Sequence, residues 1–344
     1  MRKSLFALLL VAAGALQSAY AAVTLRPDHP DSYTVVRGDT LWDIAGKFLS
    51  KPWEWPEIWQ ANPQIKNPNL IYPGDTLVLS YVDGQPRLQL NRGASRGTIR
   101  LSPTVRSTPI TEAVPAIPLE AVNSFLLQNR AFDSAEQFQL APYVVAGNAE
   151  RVVSGAGDRI YVRGKLQPGV SAFGIYRQGK TYVDPKTGAF LAINGDLIGN
   201  AVLVAQEGDI ATLQLTRTNQ EVRIGDRLFP TEERLVNSSF MPSAPDRPIN
   251  NGVILDVPRG VTQVGQYDVV TLNKGTRDGL VEGDVLAVYK TGETVRDRIT
   301  GEQVKIPDER AGLLMVFRTY DKISYGLVLL ATRQLSIMDK VRNP

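Results

Sequence analysis

The sequence predicts a multidomain α+β and mainly β protein: an N-terminal βααβ module followed by a duplicated β-rich C-terminal region. Three observations predict it. Residues 33–80 hold all four tryptophans and begin and end on an echo, Gly38-Asp39-Thr40-Leu41 and Gly74-Asp75-Thr76-Leu77. From about residue 141 onward, short β-type runs alternate with turn signals. Within that region a spaced motif recurs 113 residues later.

The 344-residue length calls for two or three domains. A hydrophobic fraction of 43% with 21% charge excludes disorder of the whole chain. The first residues read as a cleaved signal peptide, 1–21. Arg2 and Lys3 form the positive start, 5–16 is an apolar run too short to span a bilayer, and Ala19-Tyr20-Ala21 is the cleavage signal. No Cys follows to take a lipid. Without Arg2 and Lys3 the chain carries a net charge of +1, so its basic pI is no argument for nucleic acid. The absence of Cys excludes disulfides and thiolate metal sites. The single histidine, His29, sits in a polar lead, where no second His or Cys completes a site. No catalytic, metal or cofactor site is expected.

In the module, 33–36 is a β-type run and Arg37-Gly38-Asp39 a turn. Asp39 or Thr40 caps a helix whose Leu41, Ile44, Ala45 and Phe48 recur at helical spacing. Lys51-Pro52 ends it. Pro56 suits the first turn of a second helix, which Pro63 stops. Tyr72-Pro73-Gly74-Asp75 is a turn into a second strand, 76–79, antiparallel to the first. This order of pieces resembles the LysM family. The match lies in Tyr33-Thr34-Val35, Gly38-Asp39-Thr40-Leu41, Ile44-Ala45, Asn62-Pro63, and the run from Leu70-Ile71-Tyr72 through Pro73-Gly74-Asp75-Thr76-Leu77. The resemblance implies binding of N-acetylglucosamine-containing glycans, in bacteria mostly peptidoglycan. It places the sugar in a groove between Gly38, Asp39, Thr40 and Leu41 on one side and Leu70, Ile71 and Tyr72 on the other. Against this, the glycines serve turns, Leu41 and Ile71 suit a core, and Asp39 and Thr40 suit a cap. The link between the helices, residues 50–56, is longer than usual. Trp59 suits the core. Trp53 and Trp55 are open to walling the groove, packing as a cap, or facing a partner; packing is the commoner use of Trp in a small core.

Residues 81–140 read as a basic, proline-rich linker. Arg87, Arg92, Arg96, Arg100 and Arg106 lie in it without an acidic residue between 85 and 110. A solvated hairpin and a contact surface for an acidic partner are both open readings. A short helix is expected over 119–127, and another over 132–138.

The β region divides into 141–230, a linker 231–265, and 266–344. Its predicted strands include 160–162, 173–176, 201–205, 212–216, 269–272, 285–289, 313–317 and 325–330. Tyr176-x-x-Gly179-x-Thr181-x-x-Asp184-x-x-Thr187-Gly188 recurs as Tyr289-x-x-Gly292-x-Thr294-x-x-Asp297-x-x-Thr300-Gly301. Gly199 and Gly312, and Asp226 and Asp339, keep the same offset. The expectation is two copies of one unit. Asp184 and Asp297 sit in D-x-x-T-G turns, where Asp bonds its own backbone, so they are not expected to be a catalytic pair. The glycines of 275–284 lack a following Lys-Ser/Thr and form no phosphate loop.

The order of leader, LysM-like module, basic linker and β region resembles the type IV pilus secretin-associated (TsaP) family, with a C-terminal part like the flagellar T-ring (FlgT) family. The supporting residues are those of 142–147, 157–164 and 275–285, largely turn glycines. The resemblance implies a non-enzymatic periplasmic protein that ties an outer-membrane secretin to peptidoglycan. The competing readings are a LysM-targeted cell-wall hydrolase and a regulator that recruits one. No nucleic acid and no membrane-spanning segment are expected.

Overall fold

The computed structural model describes residues 23–59, 71–82, 84–91, 117, 119–126, 128–147, 153–231, 241–257 and 264–344. The expected signal peptide, Leu70, the Asn62-Pro63 helix end, and Arg92, Arg96, Arg100 and Arg106 lie outside the described residues. The chain forms two compact units, 1–114 and 115–344. No helix among the described residues is long and apolar enough to cross a membrane.

In the first unit, β1 (Ser32–Thr34) pairs antiparallel with β2 (Thr76–Val82), Tyr33 opposite Leu77. Helix α1 (Leu41–Phe48) and the short α2 (Trp55–Trp59) lie between them in sequence, joined through a 3₁₀ turn, Pro52–Glu54. Thr40, rather than Asp39, caps α1: its hydroxyl accepts the Asp43 N–H at 3.1 Å. Leu41, Ile44, Ala45 and Phe48 are buried as their spacing predicts, and Trp42 is buried with them. Trp53, Trp55 and Trp59 are all buried, so the lengthened link packs its indoles inward.

The expected bounds, 33–80, end within β2, and the sheet continues past them. A third strand, β3 (Gln85–Asn91), pairs with β2 in antiparallel register, Leu79 opposite Leu88. Leu88 is buried, and the Arg87 guanidinium donates to the Glu57 carbonyl. Arg87 therefore joins β3 to α2 instead of belonging to a solvated linker. The polar lead is tied down as well: Arg26 N–H donates to the Phe48 carbonyl, and Ser50 N–H to that of Thr24.

The second unit begins with α3 (Leu119–Leu126), β4 (Asn129–Phe132) and α4 (Ala135–Leu140). The helix expected over 132–138 starts later because Ser134 caps it, accepting the Gln137 N–H. Phe132 ends a strand instead. Six strands then close on themselves: β5 (Tyr143–Gly147), β7 (Arg159–Arg163), β10 (Ile210–Thr218), β9 (Phe190–Glu207), β8 (Ala172–Val183) and β12 (Arg227–Pro230), with β12 back on β5. Strand β4 adds to the edge of β9, and a two-stranded pair, β6 (Val153–Ser154) with β11 (Val222–Arg223), lies outside the ring. Val144, Ile160, Ile175, Ile198 and Leu213 belong to the core of this barrel.

A second closed barrel follows. Its ring is β13 (Gly252–Asp256), β14 (Val269–Leu272), β19 (Ser324–Ala331), β18 (Glu309–Thr319), β15 (Val285–Lys290) and β20 (Lys340–Arg342). Position by position, the pairing order is that of the first barrel. A further hairpin, β16 (Thr294–Arg296) with β17 (Gln303–Lys305), matches the outer part of β8–β9. The register irregularity between Val144 and Ala146 on β5 matches the one between Ile254 and Asp256 on β13. Strand β13 lies inside the segment read as a linker, 231–265. Its residues run as few as five and carry no turn-flanked alternation of their own; pairing to β14 and β20 makes the strand.

Close approach explains the glycines that recur. A Cβ on Gly199 would sit 2.6 Å from the Arg217 carbonyl oxygen, and one on Gly312 would collide with that of Leu330, the residue 113 positions on. Both glycines let a bulged strand cross its neighbour closely. Gly199→Ala or Gly312→Ala is expected to destabilise the second unit by about 1–3 kcal/mol through the forced backbone shift. Loss of Tm in calorimetry checks this, and an unchanged Tm would contradict it.

Asp308 fastens the base of the β16–β17 hairpin. Its carboxylate accepts from Lys340 Nζ at 2.8 Å, Arg342 at 2.6 Å and the Gly292 N–H at 3.2 Å. The Lys340 bond foremost, then the Gly292 N–H, lowers its pKa to about 2 from 3.8. A lowered folded-state pKa contributes stability that is full above the unfolded value and lost as pH falls through the folded one. The wild type is therefore expected to lose stability between about pH 4 and about pH 2 more steeply than Asp308→Asn. Denaturation midpoints across that window, parallel for both proteins, would contradict the assignment.

Candidate glycan-binding site

The two echoing loops of the first unit are the same turn. In Val36-Arg37-Gly38-Asp39, the Asp39 N–H donates to the Val36 carbonyl, and the Val36 N–H donates back to Asp39 Oδ2 at 2.9 Å. In Tyr72-Pro73-Gly74-Asp75, the Asp75 N–H donates to the Tyr72 carbonyl, and the Tyr72 N–H donates to Asp75 Oδ2 at 3.1 Å. Gly38 and Gly74 both sit at φ +97°, as the third position of a type II turn requires. The turns are held side by side: Val35 N–H donates to the Asp75 carbonyl, and Gly74 N–H to that of Val35. The fold thus brings both sides of the expected groove to one end of the sheet.

Burial sorts the expected sugar-contacting residues. Leu41, Ile71 and Thr40 are buried, Ile71 completely. Leu41 and Ile71 line one small cavity with Trp55, Trp59, Leu77 and Leu88, and their side chains are part of the domain's core. Thr40 bonds Asp43 through both its oxygen lone pair and its proton, the latter at 2.7 Å to Asp43 Oδ2. Gly38 is exposed, and Asp39 and Tyr72 are half-buried. What this end of the sheet offers a ligand is therefore backbone at Gly38, the second oxygen of Asp39, and the Tyr72 side chain. Leu70 lies outside the described residues.

Two neighbours of this surface, Tyr33 and Lys47, were not among the expected groove residues. The Tyr33 hydroxyl donates to Asp39 Oδ2 at 3.0 Å, and Lys47 Nζ lies 4.8 Å from the Tyr33 ring centre. Burial, then the bond to Asp39, raises the Tyr33 pKa. The stack supplies an aromatic edge and a cation beside the first turn, suited to ring faces and hydroxyls. Local sequence does not join the two: Lys47 lies on the exposed face of α1, 14 residues after Tyr33.

Residues 33–80 match the family model described as LysM domain. This stretch is a LysM domain. Chain similarity to a curated relative is confined to a short region. An uncharacterized protein, YqbP of Bacillus subtilis (strain 168), is 41% identical over 58 residues, which are 14% of this chain and 26% of the relative. The chain thus spans about a quarter of that relative's length. A LysM domain implies peptidoglycan binding and association with the cell wall.

Elsewhere, the paired carboxylates are engaged locally. Asp184 Oδ1 accepts from the N–H groups of Lys186 and Thr187, and Asp297 Oδ1 from that of Ile299. These backbone bonds foremost lower both pKa values. Among the described residues no group of His, Asp and Glu is clustered to hold a metal ion.

Thr40→Ala removes the α1 cap and is expected to cost the LysM domain about 1 kcal/mol. All tryptophans of the chain lie in this domain, so indole fluorescence follows its unfolding alone. A denaturation midpoint equal to wild type would show that the cap is not needed.

Proposed function

We propose that this chain is a non-enzymatic anchor of the periplasm. Its LysM domain holds peptidoglycan, and its two β-barrels hold an outer-membrane secretin of the type IV pilus kind. The LysM domain carries the first half of this reading. It belongs to a compact unit of its own, 1–114, while the barrels belong to another, 115–344. The second half draws on the resemblance of the β region to the secretin-associated and T-ring families. The common pairing order of the barrels, the shared bulge and the shared Gly199 and Gly312 support one duplicated unit. The Asp226–Arg177 and Asp339–Lys290 ion pairs at matching positions, 2.8 and 2.7 Å, support it as well. Two barrels with one pairing order suit a partner that is itself a repeated ring. A signal peptide over 1–21 would deliver the chain across the inner membrane.

The non-enzymatic reading rests on how the carboxylates are used. A glycan hydrolase needs two carboxyl groups free to face one bond. Asp184 and Asp297, the pair that the duplication brings to mind, are engaged by their own turns. A hydrolase would clear a peptidoglycan zymogram; the anchor is expected to leave it intact.

The deciding experiment is twofold. Isolated sacculi should retain the purified protein, and Tyr72→Ala should weaken retention about tenfold with the domain's unfolding midpoint unchanged. Asp184→Ala should bind sacculi like wild type. Affinity purification from solubilised outer membranes should carry a secretin with the chain, and its absence would remove the pilus half of the reading.

A further inference from the structure

Each barrel has a long hairpin ending in D-x-x-T-G and a face beside the start of its ring. Inside the chain, one hairpin and one face are used against each other. The tip of the β8–β9 hairpin docks on the second barrel. Tyr182 is buried, and its hydroxyl donates to Asp256 Oδ2 at 3.2 Å. Lys180 pairs with the same carboxylate. Lys186 Nζ donates to Asn251 Oδ1 at 2.6 Å, and Asn273 Nδ2 to Asp184 Oδ2 at 3.3 Å. Hairpin against face is a heterologous contact, and such a contact leaves one of each over.

The leftovers are the β16–β17 hairpin of the second barrel and the matching face of the first. The hairpin is bare. Tyr182 is 4% exposed but its counterpart Val295 is 39% exposed, and Ile299, the counterpart of Lys186, is 95% exposed. The face is equally open. Strand register makes Ala146 and Tyr161 the counterparts of Asp256 and Thr271, and Arg163 that of Asn273. Tyr161 is exposed, and so is the Arg163 side chain. Next to Ala141, the counterpart of Asn251, stands Leu140, 76% exposed.

The exchanges between the used and unused surfaces are complementary. Where Lys186 meets Asn251, the free pair is Ile299 and Leu140. Where Tyr182 meets Asp256, it is Val295 beside Ala146 and Tyr161. Where Asp184 accepts from Asn273, it is Asp297 and Arg163, an acid facing a base. Arg163 now pairs with Asp209 at 3.0 Å, both side chains exposed, a contact weak enough to exchange. The Lys180–Asp256 pair has no charged counterpart, since Glu293 would lie over Ala146. Ile299 at the tip and Val295 and Val304 on the two strands leave this hairpin with exposed apolar side chains, as a contact surface has.

We propose that the β16–β17 hairpin of one molecule docks on the β5–β7 face of a second copy, repeating between chains the contact that joins the two barrels within one. The result is head-to-tail self-association, with Ile299 and Val295 set against Leu140 and Tyr161 and Asp297 paired with Arg163. This holds whether or not the glycan and secretin readings are right.

Sedimentation velocity of the full chain over a concentration series tests it. Mean mass should rise with concentration. Ile299→Asp, a defective hairpin, and Tyr161→Asp, a defective face, should each weaken association by about tenfold or more. Mixed together, the two variants should form a discrete one-to-one complex, because the first keeps an intact face and the second an intact hairpin. Should circular dichroism show either variant misfolded, Asp297→Arg and Arg163→Asp replace them. Each alone should weaken association, and both in one chain should restore it. A wild type that keeps one mass throughout overturns the proposal. So does association that survives the folded variants, or a variant mixture without the one-to-one complex.

Discussion

One short-range interaction recurs through the whole molecule. An Asp carboxylate accepts the backbone N–H three residues before it, while the Asp N–H donates to that residue's carbonyl. Asp39 and Asp75 do this in the LysM domain. Asp158, Asp226, Asp268, Asp284 and Asp339 do it in the barrels. Six of these seven stand immediately before a strand, and Asp39 stands before the cap of α1. The residue ahead of each Asp has positive φ; five of them are glycines, and Tyr267 and Met338 adopt the same conformation without that freedom. The turn orients the chain at the mouth of a strand, and the carboxylate satisfies an N–H that the strand ladder cannot reach. Short strands can close a small barrel only if each enters in register, so the fold depends on this device.

The same interaction changes what the LysM turns mean. Gly-Asp-Thr-Leu appears twice at the ends of the domain because each end needs a strand-to-element turn, and the two turns are bonded to each other. Asp39 and Thr40 hold the loop and cap the helix, and Leu41 and Ile71 fill the core beneath. What stays accessible at this end of the sheet is backbone at Gly38, the second oxygen of Asp39 and the edges of Tyr33 and Tyr72. Such a surface suits a flat, repetitive polymer, where many shallow contacts add along the strand.

Much of the fold was legible. The helix α1 could be read from the spacing of Leu41, Ile44, Ala45 and Phe48, since periodicity records which face is buried. The predicted strands of the β region fall within observed ones because each is β-branched, short and bounded by turn residues. The misreadings share a cause. Strands β4 and β13 lie in segments that read as linker or helix because their identity comes from pairing, not from local propensity. At the two loops, sequence offered both a groove and a core-and-cap reading for the same residues; burial of Leu41, Thr40 and Ile71 depends on what packs behind them.

Sequence by itself determined the local chemistry: the turns, the cap position to within a residue, and a spacing repeated at 113 residues. These follow from bonds a residue makes within a few neighbours. Only the tertiary structure decided that the repeated segments close into barrels with one pairing order. It also decided that two chemically similar hairpins meet opposite fates. Tyr182 is buried against Asp256, whereas Val295 and Ile299 face solvent. Both hairpins carry the same turn signature; burial depends on whether another barrel follows in space, and no local stretch of residues encodes that.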